Sequence, residues 1–212
     1  MVLDVVAAEA ALAELLCARL CHDLAGAVGA VTAGAELLAE EGTASPMAGE
    51  ALELMAGSAA SLAARLRFLR LAVGPANQGA AAQAQPLAEA YFSKGFPGGE
   101  WRLDWPQDPK PTLTPDQAKL LLNLICVAQE CLPRGGIIEV RPDQAETVVA
   151  RGAGLILGEA VHGMRAADQA GLTPRAAQGA YAALLARRMG SSIDVRQCDA
   201  TLTLSVKGGI PV

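Results

Sequence analysis

The chain has 212 residues, 52% of them hydrophobic but only 3% aromatic, and a net charge of −5. That length holds one domain or two small ones, and an alanine-rich, aromatic-poor composition favours closely packed helices over a β-sandwich. The net charge lies entirely in residues 1–73, with nine acidic side chains against four arginines, while 74–212 carries thirteen of each sign; the basic stripe that nucleic acid demands is missing.

The first element is a long helix from about Asp4 to Glu41. Leu16, Leu20, Leu24, Val28, Val31, Ala35 and Leu38 recur at helical spacing, within about 80° of Leu24, and form one apolar stripe expected to be buried. His22 projects about 160° away from it. Its neighbours on that outer face, Ala18, Ala25, Gly26, Gly29 and Ala33, are all small. Two glycines inside a helix cost about 1 kcal/mol each relative to alanine, which suits a face kept flat for another molecule. The five cysteines are an odd number without a CxxC pair; Cys17 falls on the stripe and Cys21 beside it, so buried free thiols are expected and a zinc site is not. Asp4, Glu9 and Glu14 interrupt the N-terminal apolar residues and no basic n-region precedes them, so a signal peptide is not expected. No uninterrupted apolar run reaches about 18 residues, so no membrane span is expected and a cytoplasmic protein is the simplest reading.

Gly42, Ser45 and Pro46 supply a C-terminal cap, an N-cap and a first helical residue. A second helix then runs to about Val73, with Ala48, Ala51, Met55, Leu62, Leu66, Leu69 and Val73 on one face. Two such helices joined by a short loop form an antiparallel hairpin that cannot cover both stripes, so a homodimeric four-helix bundle is the economical solution. Residues 1–73 are thus expected to be a helical dimerisation domain and 74–85, GPANQGAAAQAQ, a linker. In 86–212 the pattern gives a short helix at Pro86–Phe92, a strand at Glu100–Trp105, a helix at Asp116–Leu132 capped by Thr114-Pro115, strands near 137–141 and 146–150, a helix opened by Thr173-Pro174, and strands at 192–196 and 202–206. Helices mixed with mostly hairpin-linked strands indicate an α+β sandwich with helices on one face of the sheet.

Long hairpin, linker and α+β domain is the layout of a histidine kinase core, and the local sequences agree. His22-Asp23-Leu24 followed by Val28 resembles the H-box of the dimerisation domain. Leu120–Val140 is similar to the first helix and strand of the kinase ATP-binding domain, and Gly179–Val195 to its last helix and strand. The likeness is closest to the ChpT-like histidine phosphotransferases, which have this core with a degenerate second domain and no nucleotide chemistry. Where kinases carry a magnesium-holding asparagine, four residues beyond the position of Asn123, this chain has Val127, which offers no lone pair to a hard cation. Arg151-Gly152-Ala153-Gly154 lacks the aspartate of the adenine loop, no second glycine box precedes Ala180, and Ala27 stands where the H-box often has proline.

The resemblance implies that His22 accepts a phosphoryl group from an aspartyl phosphate on a receiver domain and gives it to another receiver's aspartate. Neutral imidazole is available for that attack at cytoplasmic pH. The partners it implies are response-regulator receivers and the receiver domain of a hybrid kinase, with Mg2+ brought by the receiver and no bound ATP. Asp23 is adjacent, to orient the imidazole, to handle its proton, or as a plain solvated carboxylate. His162 reads as structural or surface. In a hairpin turning near Thr43, His22 lies level with about residue 64, so Arg65, Arg67 and Arg70 fall beside or beyond it and Arg19 one turn away. Arg67 is expected to steer the receiver's carboxylates. Two rivals stay open: a histidine kinase with atypical nucleotide boxes, and a non-enzymatic dimeric adaptor.

Overall fold

A computed structural model describes residues 2–42, 44–75, 80–96, 101–107, 112–143, 145–166 and 171–208. Helix α1 spans Val2–Glu41 and α2 spans Ala48–Val73, packed antiparallel as a hairpin. Gly42 ends α1 at φ +80°, its N–H bonded to the Leu38 carbonyl at 3.1 Å, as a left-handed C-terminal cap requires. The start of α2 differs from the expectation. Its N-cap is Met47, without a side-chain cap bond, and Ser45 instead spends its hydroxyl on Glu41 at 2.8 Å and accepts from the Met47 N–H. Gly34 lets the two helices approach, because a Cβ there would lie 2.4 Å from the Met55 side chain.

The second half comprises α3 (Ala80–Gly95), β1 (Trp101–Asp104), α4 (Pro115–Glu130), β2 (Gly136–Arg141), β3 (Thr147–Arg151), α5 (Glu159–Arg165), α6 (Pro174–Arg188), β4 (Ser191–Cys198) and β5 (Thr201–Gly208). The five strands form one sheet in the order β1-β2-β3-β5-β4, with β1 parallel to β2 and every other pair antiparallel. Helices α3, α4 and α6 contact the strands. Register aligns Ile138 with Ala150 and Leu202, and Val140 with Val148 and Leu204, all buried. Alternate positions turn the other way and carry ion pairs, Glu139 to Arg141 and Arg151, and Asp194 to Arg196 and Lys207. This is the expected one-sided α+β sandwich, apolar in and polar out. Thr114 and Gln117 close a full capping box at α4, and Thr173 caps α6 ahead of Pro174.

The linker and the thiols also differ from expectation. Helix α3 begins at Ala80, with Pro86 inside it, so helix takes up residues 80–85 of the expected linker; residues 76–79 of that linker lie outside the described residues. The two halves also share a core. Phe68, Leu69, Leu71 and Ala72 of α2 are buried with α3, α4 and the sheet, and Phe68 stacks on Tyr91 at 4.1 Å. Buried Asn123 of α4 donates to the Ala72 carbonyl at 2.8 Å and accepts from Gln178 of α6. Finally, Cys17 and Cys21 are exposed, as is Cys198, and only Cys126 and Cys131 are buried. The apolar stripe of α1 is too shallowly covered within one chain to enclose its thiols.

The stripe itself is divided. Leu12 and Leu16 are buried against Ala177 and Ala180 of α6 in the same chain, a contact the hairpin picture lacks. Farther along, Val28 and Ala35 are exposed, as is Leu66 on α2. Residues 6–41 of α1 are long and apolar enough, by length and composition, to cross a membrane, although counting uninterrupted apolar residues gives no such span. In this fold the helix instead lies along α2 and α6.

Candidate functional site

His22 stands mid-way along α1 with its side chain 79% exposed. Its Nδ1 lies 3.3 Å from Asp23 Oδ1. In the tautomer protonated at Nδ1, that nitrogen donates to the carboxylate and Nε2 keeps its lone pair toward solvent. Asp23 is held in turn: Arg19 Nε donates to its Oδ2 at 2.7 Å, and Arg65 Nη1, from α2, donates to its backbone carbonyl at 3.0 Å. Arg65 also lies over the Phe96 ring at 4.7 Å, a cation–π contact that fixes its head group. Arg19 also makes an ion pair with the other half of the chain, its Nη2 lying 2.8 Å from Glu130 Oε1 at the end of α4.

The electrostatics follow from burial. Burial pushes the Arg19 guanidinium down, but Glu130 and Asp23 outweigh it, so it stands above its ordinary value and stays charged. Burial pushes the Glu130 carboxyl up, and the Arg19 charge opposes that shift.

His22 and Asp23 form the ridge between two clefts. The first, about 920 Å³, separates Ala18 and Arg19 from Glu130, Glu159, His162 and Arg175 of the second half. The second, about 810 Å³, runs between α1 and α2 past Gly26 and Arg65 to Lys94 and Phe96 at the end of α3. Ala25 and Gly29 continue the exposed face of α1. A Cβ at Gly26 or Gly29 would meet no atom of the described residues within 4 Å, so packing among those residues does not account for either glycine.

The structure therefore gathers Ala18, Arg19, Asp23, Gly26 and Arg65 around His22. Arg67 and Arg70 are exposed on α2 and line neither cleft. Only Arg65 reaches the H-box turn, because its side chain alone of the three points into the α1–α2 groove. Two residues escaped sequence reasoning. Glu130 sits in the helix similar to a kinase helix, with nothing local to mark it. His162 is exposed, as a surface reading requires, yet it lies on the wall facing His22. Its helix α5 is seven residues long, too short for periodicity to register. Gly163 and Gly179 seat that helix, since a Cβ at either would fall within 2.0 Å of a carbonyl across the α5–α6 contact.

Comparison with known proteins follows the same lines. Residues 81–201 match the family described as histidine phosphotransferase C-terminal domain. A protein phosphotransferase ChpT from Brucella abortus (strain 2308) is 36% identical over 140 residues, 64% of this chain and 63% of that protein; the match thus spans less than two thirds of that relative's length. A solved bacterial phosphotransferase structure superposes with a TM-score of 0.75 at 28% identity, over 92% of this chain and 95% of the other.

Proposed function

Because the chain belongs to the histidine phosphotransferase family, we propose that it relays a phosphoryl group between aspartates of receiver domains in a two-component phosphorelay, with His22 as the carrier. The observation that carries this reading is the exposed imidazole with Nδ1 against Asp23, on a helix face of small residues between two open clefts.

The step balances with the groups present. Neutral His22 attacks phosphorus through the Nε2 lone pair, the acyl-phosphate P–O bond breaks, and the electron pair leaves with the receiver's carboxylate. The product is an Nε2-phosphoimidazolium whose Nδ1–H faces Asp23 Oδ1. Asp23 stabilises that cation while it forms, and the reverse step on a second receiver regenerates neutral imidazole. Two cations beside the transferring group, Arg19 and Arg65, are tied to Asp23 rather than pointed freely outward, while Arg175 and Lys94 stand on the walls of the two clefts. They hold the carboxylate in place, and the magnesium that offsets phosphoryl charge comes with the receiver. The reading without ATP chemistry rests on Val127, fully buried in α4, where kinases place a metal-holding amide. The exposed free thiols suit a reducing cytoplasm. The exposed Val28 and Leu66 on the hairpin, 47% and 53% accessible, support the homodimeric bundle.

Incubation with a receiver phosphorylated by a labelled small-molecule donor tests the relay. Wild-type chain is expected to acquire acid-labile, base-stable label, and His22→Gln none; label persisting on the variant overturns the assignment. Calorimetry with magnesium and ATP is expected to be flat, and a micromolar Kd would restore the kinase reading. Leu66→Glu is expected to yield monomer in light scattering, whereas monomeric wild-type protein removes the bundle.

A further inference from the structure

We propose that Glu130, at the end of α4 in the degenerate second domain, is a positioning residue for His22 that acts through Arg19 and Asp23. The proposal rests on the relay reading for its consequence in phosphoryl transfer, but the wiring itself is a matter of geometry.

The contacts form one continuous line from the core to the surface. Glu130 Oε1 lies 2.8 Å from Arg19 Nη2, Arg19 Nε 2.7 Å from Asp23 Oδ2, and Asp23 Oδ1 3.3 Å from His22 Nδ1. Exposure rises along it: 15% for the Glu130 side chain, 16% for Arg19, 30% for Asp23 and 79% for His22. The inner end is anchored. Helix α4 is buried along its length, and the carbonyl of the next residue, Cys131, accepts from Ile156 at 3.0 Å. The ion pair holds Arg19 beside α4 and the Arg19–Asp23 hydrogen bond holds the carboxylate beside the ring, so the imidazole's orientation is referred to the framework of the second domain.

Charge gives Glu130 a role that Arg19 and Asp23 cannot fill between them. An arginine bonded to Asp23 by itself would cancel the carboxylate's field at the imidazole. With Arg65 also on Asp23, the two arginines and the one carboxylate would present a net positive charge to the imidazolium that forms during transfer; Glu130, on the far side of the Arg19 guanidinium, brings that sum to zero. The Glu130–Arg19 contact is an ion pair without hydrogen-bond alignment, and Arg19 Nη1 is buried without a hydrogen-bond partner among the described residues. As adhesive between the two halves this is a poor arrangement, since an apolar pair of similar volume holds such a joint at lower cost. An arrangement that is costly for adhesion and continuous with the nucleophile points to positioning. Other charged or titratable groups around the trio are Arg65, on the Asp23 backbone, buried Cys126, Cys131 and Tyr91 beneath it, Glu159, His162 and Arg175 across the first cleft, and Glu53 and Lys94 across the second.

The test is a double-mutant cycle in the full chain with Glu130→Gln and Asp23→Asn, read two ways: the tautomer of the neutral His22 ring by nitrogen NMR, and single-turnover transfer from a phosphorylated receiver. The wild-type ring is expected to hold its proton at Nδ1, and Glu130→Gln to shift it toward the tautomer protonated at Nε2 and to slow transfer about tenfold. In the Asp23→Asn background the same change is expected to move neither readout. An equal change in both backgrounds means plain through-space charge and overturns the wiring, as does the absence of a change in the wild-type background. Should Glu130→Gln not fold, the paired Arg19→Met, Glu130→Met replacement keeps the joint filled; transfer by it at the wild-type rate overturns the proposal. Wild-type chain that takes no phosphoryl group removes the relay reading, while the tautomer cycle still decides the wiring.

Discussion

Gly26 and Gly29 separate stability from function at this site. Both lie well inside α1, and a Cβ on either would meet no atom of the described residues within 4 Å. Replacing each with alanine restores helix propensity of about 0.8–1.0 kcal/mol, roughly 2 kcal/mol for the pair. For a chain of about 200 residues each kcal/mol moves Tm by about 2–4 °C, so Gly26→Ala with Gly29→Ala is expected to raise Tm by about 4–8 °C in scanning calorimetry. A chain that kept two such glycines for no reason would lose nothing by this. Gly26→Leu is the functional counterpart. It keeps the propensity gain but projects an isobutyl group into the second cleft beside His22, where a docked receiver would have to lie flat. Displacing the reacting groups by about 1 Å costs up to about 100-fold, and a slowing of tenfold or more in single-turnover transfer is expected, with Tm at or above wild type. Two results refute the reasoning. If the double alanine variant is destabilised, the face is already covered, by a second copy of the hairpin. If Gly26→Leu transfers at the wild-type rate, the receiver docks elsewhere.

Asn123→Leu is expected to destabilise the chain by about 2–5 kcal/mol in urea denaturation, because it strips the buried Ala72 carbonyl and Gln178 amide of their partner. With a disulfide-exchange reagent, Cys17, Cys21 and Cys198 are expected to react fast and Cys126 and Cys131 slowly, since only the last two are buried and burial pushes both thiols up. Five fast thiols would mean the core opens readily. Hydrogen bonding from Arg141, then Arg151, holds the Glu139 carboxyl below its ordinary 4.5. Its contribution to stability is therefore complete above that value and lost as pH falls through the lowered native one. Glu139→Gln is expected to flatten the acid limb of a stability–pH curve in that window; an unchanged limb removes the assignment.

Short-range order in this protein is written in residue spacing. Helical arithmetic on α1 places His22 opposite the Leu16–Leu24 stripe, and the side chain is indeed the exposed one. Thr114-Pro115 and Thr173-Pro174 mark helix starts because a cap bonds to backbone only three residues away. Matching residue 22 with residue 64 across a tight hairpin puts Arg65 at the H-box, and its bond to Asp23 follows. Pairing level alone says nothing of rotation about α2, so Arg67 and Arg70, equally near in that reckoning, point elsewhere. What depends on packing between distant segments was decided only in three dimensions. Leu12 and Leu16 find their cover on α6, the thiols of Cys17 and Cys21 stay at the surface because that cover stops short of them, and a seven-residue helix sets His162 across a cleft from His22. Glu130 is the clearest case: nothing in an α-helix of buried apolar residues announces that its last side chain reaches an arginine one turn from the histidine. Periodicity reports which face of an element is buried, but only the folded core determines which partner that face, or the charge at its end, will meet.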